Sequence, residues 1–121
     1  MKYTRIYTGT DNQSHFEDGD VELFDALIGK VTAQIPANCL YFGEITDEAE
    51  ISWHNPSAPQ FVIMLEGAME IEIGDGAKRI FNTGDIVLAE DTTGQGHVTR
   101  AASLGKRRYM VIPLADGSVT L

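Results

Sequence analysis

The stretch Ala68–Ile73 constrains the fold most. Met69, Ile71 and Ile73 alternate with Glu70 and Glu72. That is a period of two, with one apolar and one wetted face, and a helix cannot present it. Gly74-Asp75-Gly76 follows, and an Asp-Gly pair favours a tight turn between antiparallel strands. Lys78 to Phe81 is the predicted return strand, Asn82-Thr83-Gly84-Asp85 a second turn, and Ile86 to Ala89 a short buried strand. Upstream, Gln60 to Leu65 is apolar at both alternating sets after its first residue, as suits a strand covered on both faces. Val31–Ile35, Leu40–Glu44 and Arg107–Leu114 are further strand candidates. His97–Ala101 is another, after the polar, glycine-rich loop Asp91–His97. Asp20–Ile28 carries two patterns. Val21, Phe24 and Ile28 fit one helical face, while Val21-Glu22-Leu23 fits a strand; the expectation is a strand with a turn near Asp25. Many short strands at regular spacing predict an all-β sandwich or barrel.

A chain of 121 residues with 43% hydrophobic content is one domain by length, expected over 1–121, and can bury a core. The formal net charge of −9 argues against a nucleic-acid partner, which needs clustered Lys and Arg to neutralise phosphates. It also argues against docking on an anionic membrane surface. Cys39 is the only cysteine, so no intrachain disulfide forms, and it is expected as a small buried hydrophobe. Met1–Thr10 shows no apolar run of a secretory signal. Phe61–Leu65, the longest apolar run, is far too short to cross a bilayer as a helix. These features predict a cytoplasmic protein.

Residues 48 to 91 carry a spacing that resembles the two signature segments of the cupins. The first cupin motif runs G, five residues, H-x-H, three or four residues, E, six residues, G. Its positions fall on Glu48, His54, Pro56, Gln60 and Gly67. The second runs G, five residues, P-x-G, two residues, H, three residues, N, and falls on Gly76, Asn82, Gly84, Val87 and Asp91. The spacing and three of the four glycines, Gly67, Gly76 and Gly84, fit, whereas Glu48 stands at the leading glycine and most of the ligand positions hold other residues. The resemblance implies an all-β, single cupin-type double-stranded β-helix, or jelly-roll barrel. It also implies an inward-pointing His54, a small-molecule ligand, and a homodimer to which an N-terminal segment of about 1–30 contributes. In the family, three His and one Glu hold a divalent metal. Here only His54 of those four is kept.

His54 is therefore the central candidate, as metal ligand or general acid–base group, because imidazole titrates near neutrality. His97 is the second; a histidine on a neighbouring strand would replace the missing one. Gln60 stands at the family's Glu position and offers an amide donor and acceptor. By strand alternation it shares a face with Val62 and Met64, which makes the pocket floor apolar. Asp91 orients His97, serves as a base, or caps the turn at Thr92 and Thr93. Trp53 and Met64 complete the expected pocket, while Tyr41 and Tyr109 suit ordinary strand packing. His15 in the N-terminal segment is a further imidazole. Arg107 and Arg108 are expected to pair with surface carboxylates.

Two function classes follow. The first is a small-molecule enzyme of isomerase, lyase or oxygenase type. In one version His54, His97 and Gln60 hold a divalent transition metal; in the other the histidines work without metal as acid and base beside a carbonyl. The second class is a non-catalytic cupin that binds or senses a small ligand.

Overall fold

The computed structural model describes residues 1–46 and 49–115; Glu48, the first position of the motif spacing, lies outside the described residues. The strands are β1 (Lys2–Thr8), β2 (Ser14–Asp20), β3 (Phe24–Asp25), β4 (Lys30–Val31), β5 (Tyr41–Ile45) and β6 (Ile51–His54). They continue as β7 (Gln60–Glu66), β8 (Met69–Glu72), β9 (Lys78–Phe81), β10 (Ile86–Ala89), β11 (His97–Ala101) and β12 (Arg107–Pro113). Six form one sheet in the order β2-β1-β10-β7-β12-β5, and four form a second in the order β6-β11-β8-β9. β3 and β4 make a separate hairpin. Every pairing is antiparallel except β1 with β10. No ladder joins the two sheets among the described residues, so the jelly roll stays open rather than closing into a plain barrel.

The alternation expected at Ala68–Ile73 builds the interior. Met69 and Ile71 face the large sheet and join Ile6, Met64, Phe81 and Val87 in one buried cluster. Glu70 and Glu72 turn outward, where both meet Arg100, at 3.4 and 2.6 Å. The Asp-Gly hairpin closes through Ile73 N–H to the Ala77 carbonyl at 3.0 Å, with Gly76 at a positive φ of 88°.

β7 is apolar on both faces because both are covered. Met64 and Val62 point between the sheets. Phe61 points outward and packs with Leu88 and Leu114, flanked by Ile35 and Tyr3. A segment after β4 lies over that outer face, held by the Ala37–Leu114 bridge and by Asn38 N–H to the Pro113 carbonyl at 2.8 Å. Of the expected strand Val31–Ile35 only Val31 pairs with another strand, because the chain then leaves the ladder to serve as this cover. Cys39, expected to be buried, is exposed, since this covering segment runs on the surface.

β1 and β2 were not among the expected strands, since KYTRIYT and SHFEDGD are mostly polar. They form because their outer faces are solvated and a single residue, Ile6, drives into the core with no exposure. The turn expected near Asp25 is present: β3 ends at Asp25 and the Ala26–Gly29 turn leads to β4. The strand expected at Val21-Glu22-Leu23 is not, since β2 ends at Asp20 and β3 begins only at Phe24.

Ile6 carries the attachment of β1, so Ile6→Ala is expected to cost about 2–5 kcal/mol of stability, read from urea unfolding monitored by circular dichroism. A loss below about 1 kcal/mol would show that β1 is held by its ladder alone.

Candidate functional site

His54 ends β6 and His97 opens β11, and the two face each other as a register pair in the small sheet. Their ring centroids lie 4.6 Å apart in an edge-to-face arrangement. Both line one end of a cavity of about 380 Å³ between the sheets. Gln60 and Met64 line it too, on the face that strand alternation assigns them with Val62. The walls are mostly aliphatic, with Ile71, Val87 and Val111 among them. A cavity of this size, apolar with a few convergent polar groups, has the character of a small-ligand site.

The histidines are held by different partners. His97 Nδ1 lies 2.6 Å from Asp91 Oδ2, and both side chains are buried. The same carboxylate oxygen accepts the Ser14 hydroxyl at 2.6 Å. A carboxylate accepts, so Nδ1–H donates and the His97 Nε2 lone pair is left for whatever enters the cavity. His54 Nδ1 donates to the Ser52 carbonyl at 2.8 Å, which likewise leaves Nε2 as an acceptor. Burial pushes the His54 pKa below the ordinary imidazole value, and the nearby His97 pushes the same way; the Ser52 bond and the Asp91 charge oppose them. The amide of Gln60 makes no hydrogen bond to another described residue.

The loop between Asp91 and His97 is held tightly. Gly96 has a φ of 74°, and a Cβ there would collide with the His54 backbone carbonyl. Gly94, at 75°, has no room beside the Asn12 carbonyl. Only glycine satisfies both demands at each position. Asn55 Nδ2 clamps the loop by donating to the carbonyls of Asp91 and Thr93, both at 2.9 Å.

Several expected residues fall elsewhere. Trp53 does not line the cavity and is 41% exposed; adjacent strand residues point to opposite faces, so an inward His54 turns Trp53 out. Asp91 is not on the cavity wall either; it lies fully buried behind His97. Its bond is the orienting one, not a turn cap. His15 bonds Asp11 at 2.9 Å on the outer strand β2, away from this cavity. Tyr41 and Tyr109 line the cavity rather than serving only as strand packing. The Tyr109 ring covers Gly43, its partner on β5, as an aromatic does over a strand glycine. Arg108 pairs with Glu44 at 2.8 Å as expected. Arg107 instead points inward and is 2% exposed. Asn55, Ser57, Thr99 and Arg107 also line the cavity and were not anticipated. For Thr99 and Arg107 a signal was available: each sits an even number of residues from an inward neighbour, His97 and Tyr109.

The donor set does not fit the cupin metal. Two imidazole nitrogens and a neutral amide replace three imidazoles and a carboxylate, and a transition ion needs about three good protein ligands. No group of three His, Cys, Asp or Glu among the described residues converges on one point.

Because His54 resists protonation in the fold, the unfolded chain binds more protons between the folded value and about 6.5. Its stabilising contribution is present above that value and is lost as the pH falls through it. The melting temperature of the wild type should therefore drop more between pH 7.5 and 5.5 than that of His54→Gln. Equal slopes in differential scanning calorimetry would contradict the buried, neutral imidazole.

No protein-family model matches the chain, and no curated protein matches it. Solved structures do. A cupin 2 conserved barrel domain protein from Salinispora arenicola CNS-205 superposes with a TM-score of 0.51 at 17% identity, covering 64% of this chain. A cupin 2 conserved barrel domain protein from Leptotrichia buccalis gives a TM-score of 0.49 at 10% identity, covering 95% of this chain. The chain spans 62% of the first protein's length and 41% of the second's. No helix among the described residues is long and apolar enough to cross a membrane. Two facing, mainly antiparallel sheets with a cavity between them, and the superposition on the Salinispora protein, identify the fold: this chain is folded as a small all-β cupin.

Proposed function

We infer that the cavity performs acid–base chemistry on a small organic molecule, with His97 as the base. The carrying observation is the buried 2.6 Å bond from His97 Nδ1 to Asp91. It fixes one tautomer, aims Nε2 outward and stabilises the imidazolium that forms when Nε2 takes a proton. His54 is the second group of the pair. Held below its ordinary pKa by burial, it stays neutral near pH 7 and does not repel that imidazolium. Gln60 supplies a free amide for a ligand oxygen.

A proton isomerisation beside a carbonyl suits these groups. His97 Nε2 takes the proton from the carbon next to the carbonyl, and the electron pair moves onto the oxygen as an enolate. The Gln60 amide N–H donates to that oxygen. In a β,γ-unsaturated carbonyl compound the electron pair spreads as a dienolate, and the same imidazolium returns the proton at the γ carbon, so no co-reactant is needed. An apolar wall favours the step, because charge developing in a low dielectric responds strongly to fixed donors.

The test needs no prior substrate. A panel of small ketones, aldehydes and oxo acids is incubated with the protein in D₂O, and exchange of the protons next to the carbonyl is followed by NMR. The wild type is expected to accelerate exchange in part of the panel. His97→Gln should lower that rate about 10²–10⁴-fold, and Asp91→Asn should lower it through the altered tautomer. Exchange no faster than buffer across the panel, or undiminished in His97→Gln, would remove the reading. Ligand binding without exchange would assign the protein to the non-catalytic cupins.

The partner we propose is a second copy of the chain. The β3–β4 hairpin exposes Phe24, Leu27, Ile28 and Val31, with Leu27 fully exposed. β5 is an edge strand of the large sheet and exposes Phe42. Exposed apolar residues and an open edge favour association. Sedimentation velocity should find a dimer for the wild type and a monomer for Leu27→Asp/Ile28→Asp; a monomeric wild type at about 50 µM would refute it.

A further inference from the structure

The acid–base reading leaves one cavity residue without a role. Arg107 is the only Lys or Arg among the described residues that line the cavity. The other four arginines each meet a carboxylate: Arg5 with Glu90, Arg79 with Asp18, Arg100 with Glu72 and Arg108 with Glu44. Arg107 meets none among the described residues, although it is the most buried of the five. Its Nη2 donates to the Ala49 carbonyl at 2.9 Å, while its Nε is buried with no acceptor among the described residues. A guanidinium carries five N–H donors and keeps its charge in proteins. Burying it beside aliphatic walls without a counter-charge is costly.

The register shows which end of the cavity it occupies. On β12 the pairing with β7 sets Pro113 opposite Gln60 and Tyr109 opposite Met64. Arg107 therefore lies six residues from the Gln60 end, about 20 Å of extended backbone. Its anchor, Ala49, precedes Ile51, and Ile51 pairs with Thr99 rather than with His97. The cavity thus has imidazoles and an amide at one end and a guanidinium at the other. Val62, Met64, Ile71 and Val87 lie between them. The net charge of −9 opposes long-range attraction of anions, so the cation acts at contact.

The geometry points to a carboxylate subsite at Arg107. The ligand is a small monocarboxylate with an apolar body, its anionic end against the guanidinium N–H groups that Ala49 does not use. Its apolar body then runs along the aliphatic walls toward the His54–His97 end. The subsite rests on Arg107 and not on the acid–base reading.

Matched probes test it by isothermal titration calorimetry at pH 7.5: hexanoate against hexanamide, phenylacetate against phenylacetamide, and 5-oxohexanoate against 5-oxohexanamide. The wild type should bind the carboxylates at least about tenfold more tightly than the amides. Arg107→Gln should bring the ratio near one while keeping amide affinity. Arg107→Lys, which keeps the charge and loses the planar fork, should reduce the ratio and guards against a variant that fails to fold. Equal affinities in the wild type, no binding by any carboxylate, or an intact preference in a folded Arg107 variant would each overturn the subsite. The two readings fail separately. Equal binding of acids and amides, with carbon–proton exchange still lost in His97→Gln, removes only the subsite. A carboxylate preference without exchange removes only the acid–base step.

Discussion

Asp91 Oδ2 accepts hydrogen bonds from Ser14 Oγ and His97 Nδ1, both at 2.6 Å. One buried atom thus joins the start of β2, the chain just after β10 and the start of β11. The interaction is strong because both groups lie out of water, where a charge-assisted hydrogen bond gains and a missing one costs most. Its consequences spread from there. The carboxylate fixes the His97 ring, and the ring fixes the wall on which His54 leans. Gly96 passes hard against the His54 carbonyl, so the loop cannot drift without moving that wall. Asn55 ties the same loop to the end of β6 through two backbone carbonyls.

The cavity belongs to the packing rather than to a gap in it. Its floor is the top of the core: Ile6, Met64, Met69, Ile71 and Val87 serve both. These aliphatic groups make the low-dielectric surroundings in which an imidazole resists protonation and a guanidinium calls for an anion. At the His54 end, polar groups are oriented by backbone carbonyls and a carboxylate. At the Arg107 end, the Ala49 carbonyl is the cation's one hydrogen-bond partner among the described residues. A ligand with an apolar middle and two polar ends matches that profile better than a uniformly polar one.

Much of the frame was legible in the sequence. The Met69, Ile71 and Ile73 alternation, the Asp-Gly turn and the doubly apolar β7 follow from side-chain period and turn chemistry, which act over a few residues. The shared face of Gln60, Val62 and Met64 follows from the same rule, whereas the inward His54 was an implication of the cupin resemblance. β1 was not legible, because its single core residue, Ile6, leaves no pattern in KYTRIYT; partners far along the chain decide that it is a strand. Trp53 shows the reverse case. It neighbours the central histidine, and the alternation that brings His54 in sends Trp53 out. Arg107 and Arg108 look alike in sequence, yet one is buried in the cavity and the other pairs with Glu44 at the surface.

The sequence by itself determined an all-β chain with strands and turns in a fixed order, because hydrophobic period and turn propensity are local properties; the inward place of His54 was an implication of the cupin resemblance. Only the tertiary structure decided that Asp91 serves His97, that the two imidazoles meet, and that Arg107 faces the cavity without a carboxylate among the described residues. Those outcomes depend on contacts between residues up to 77 positions apart, set by strand register and sheet packing, which no local pattern encodes.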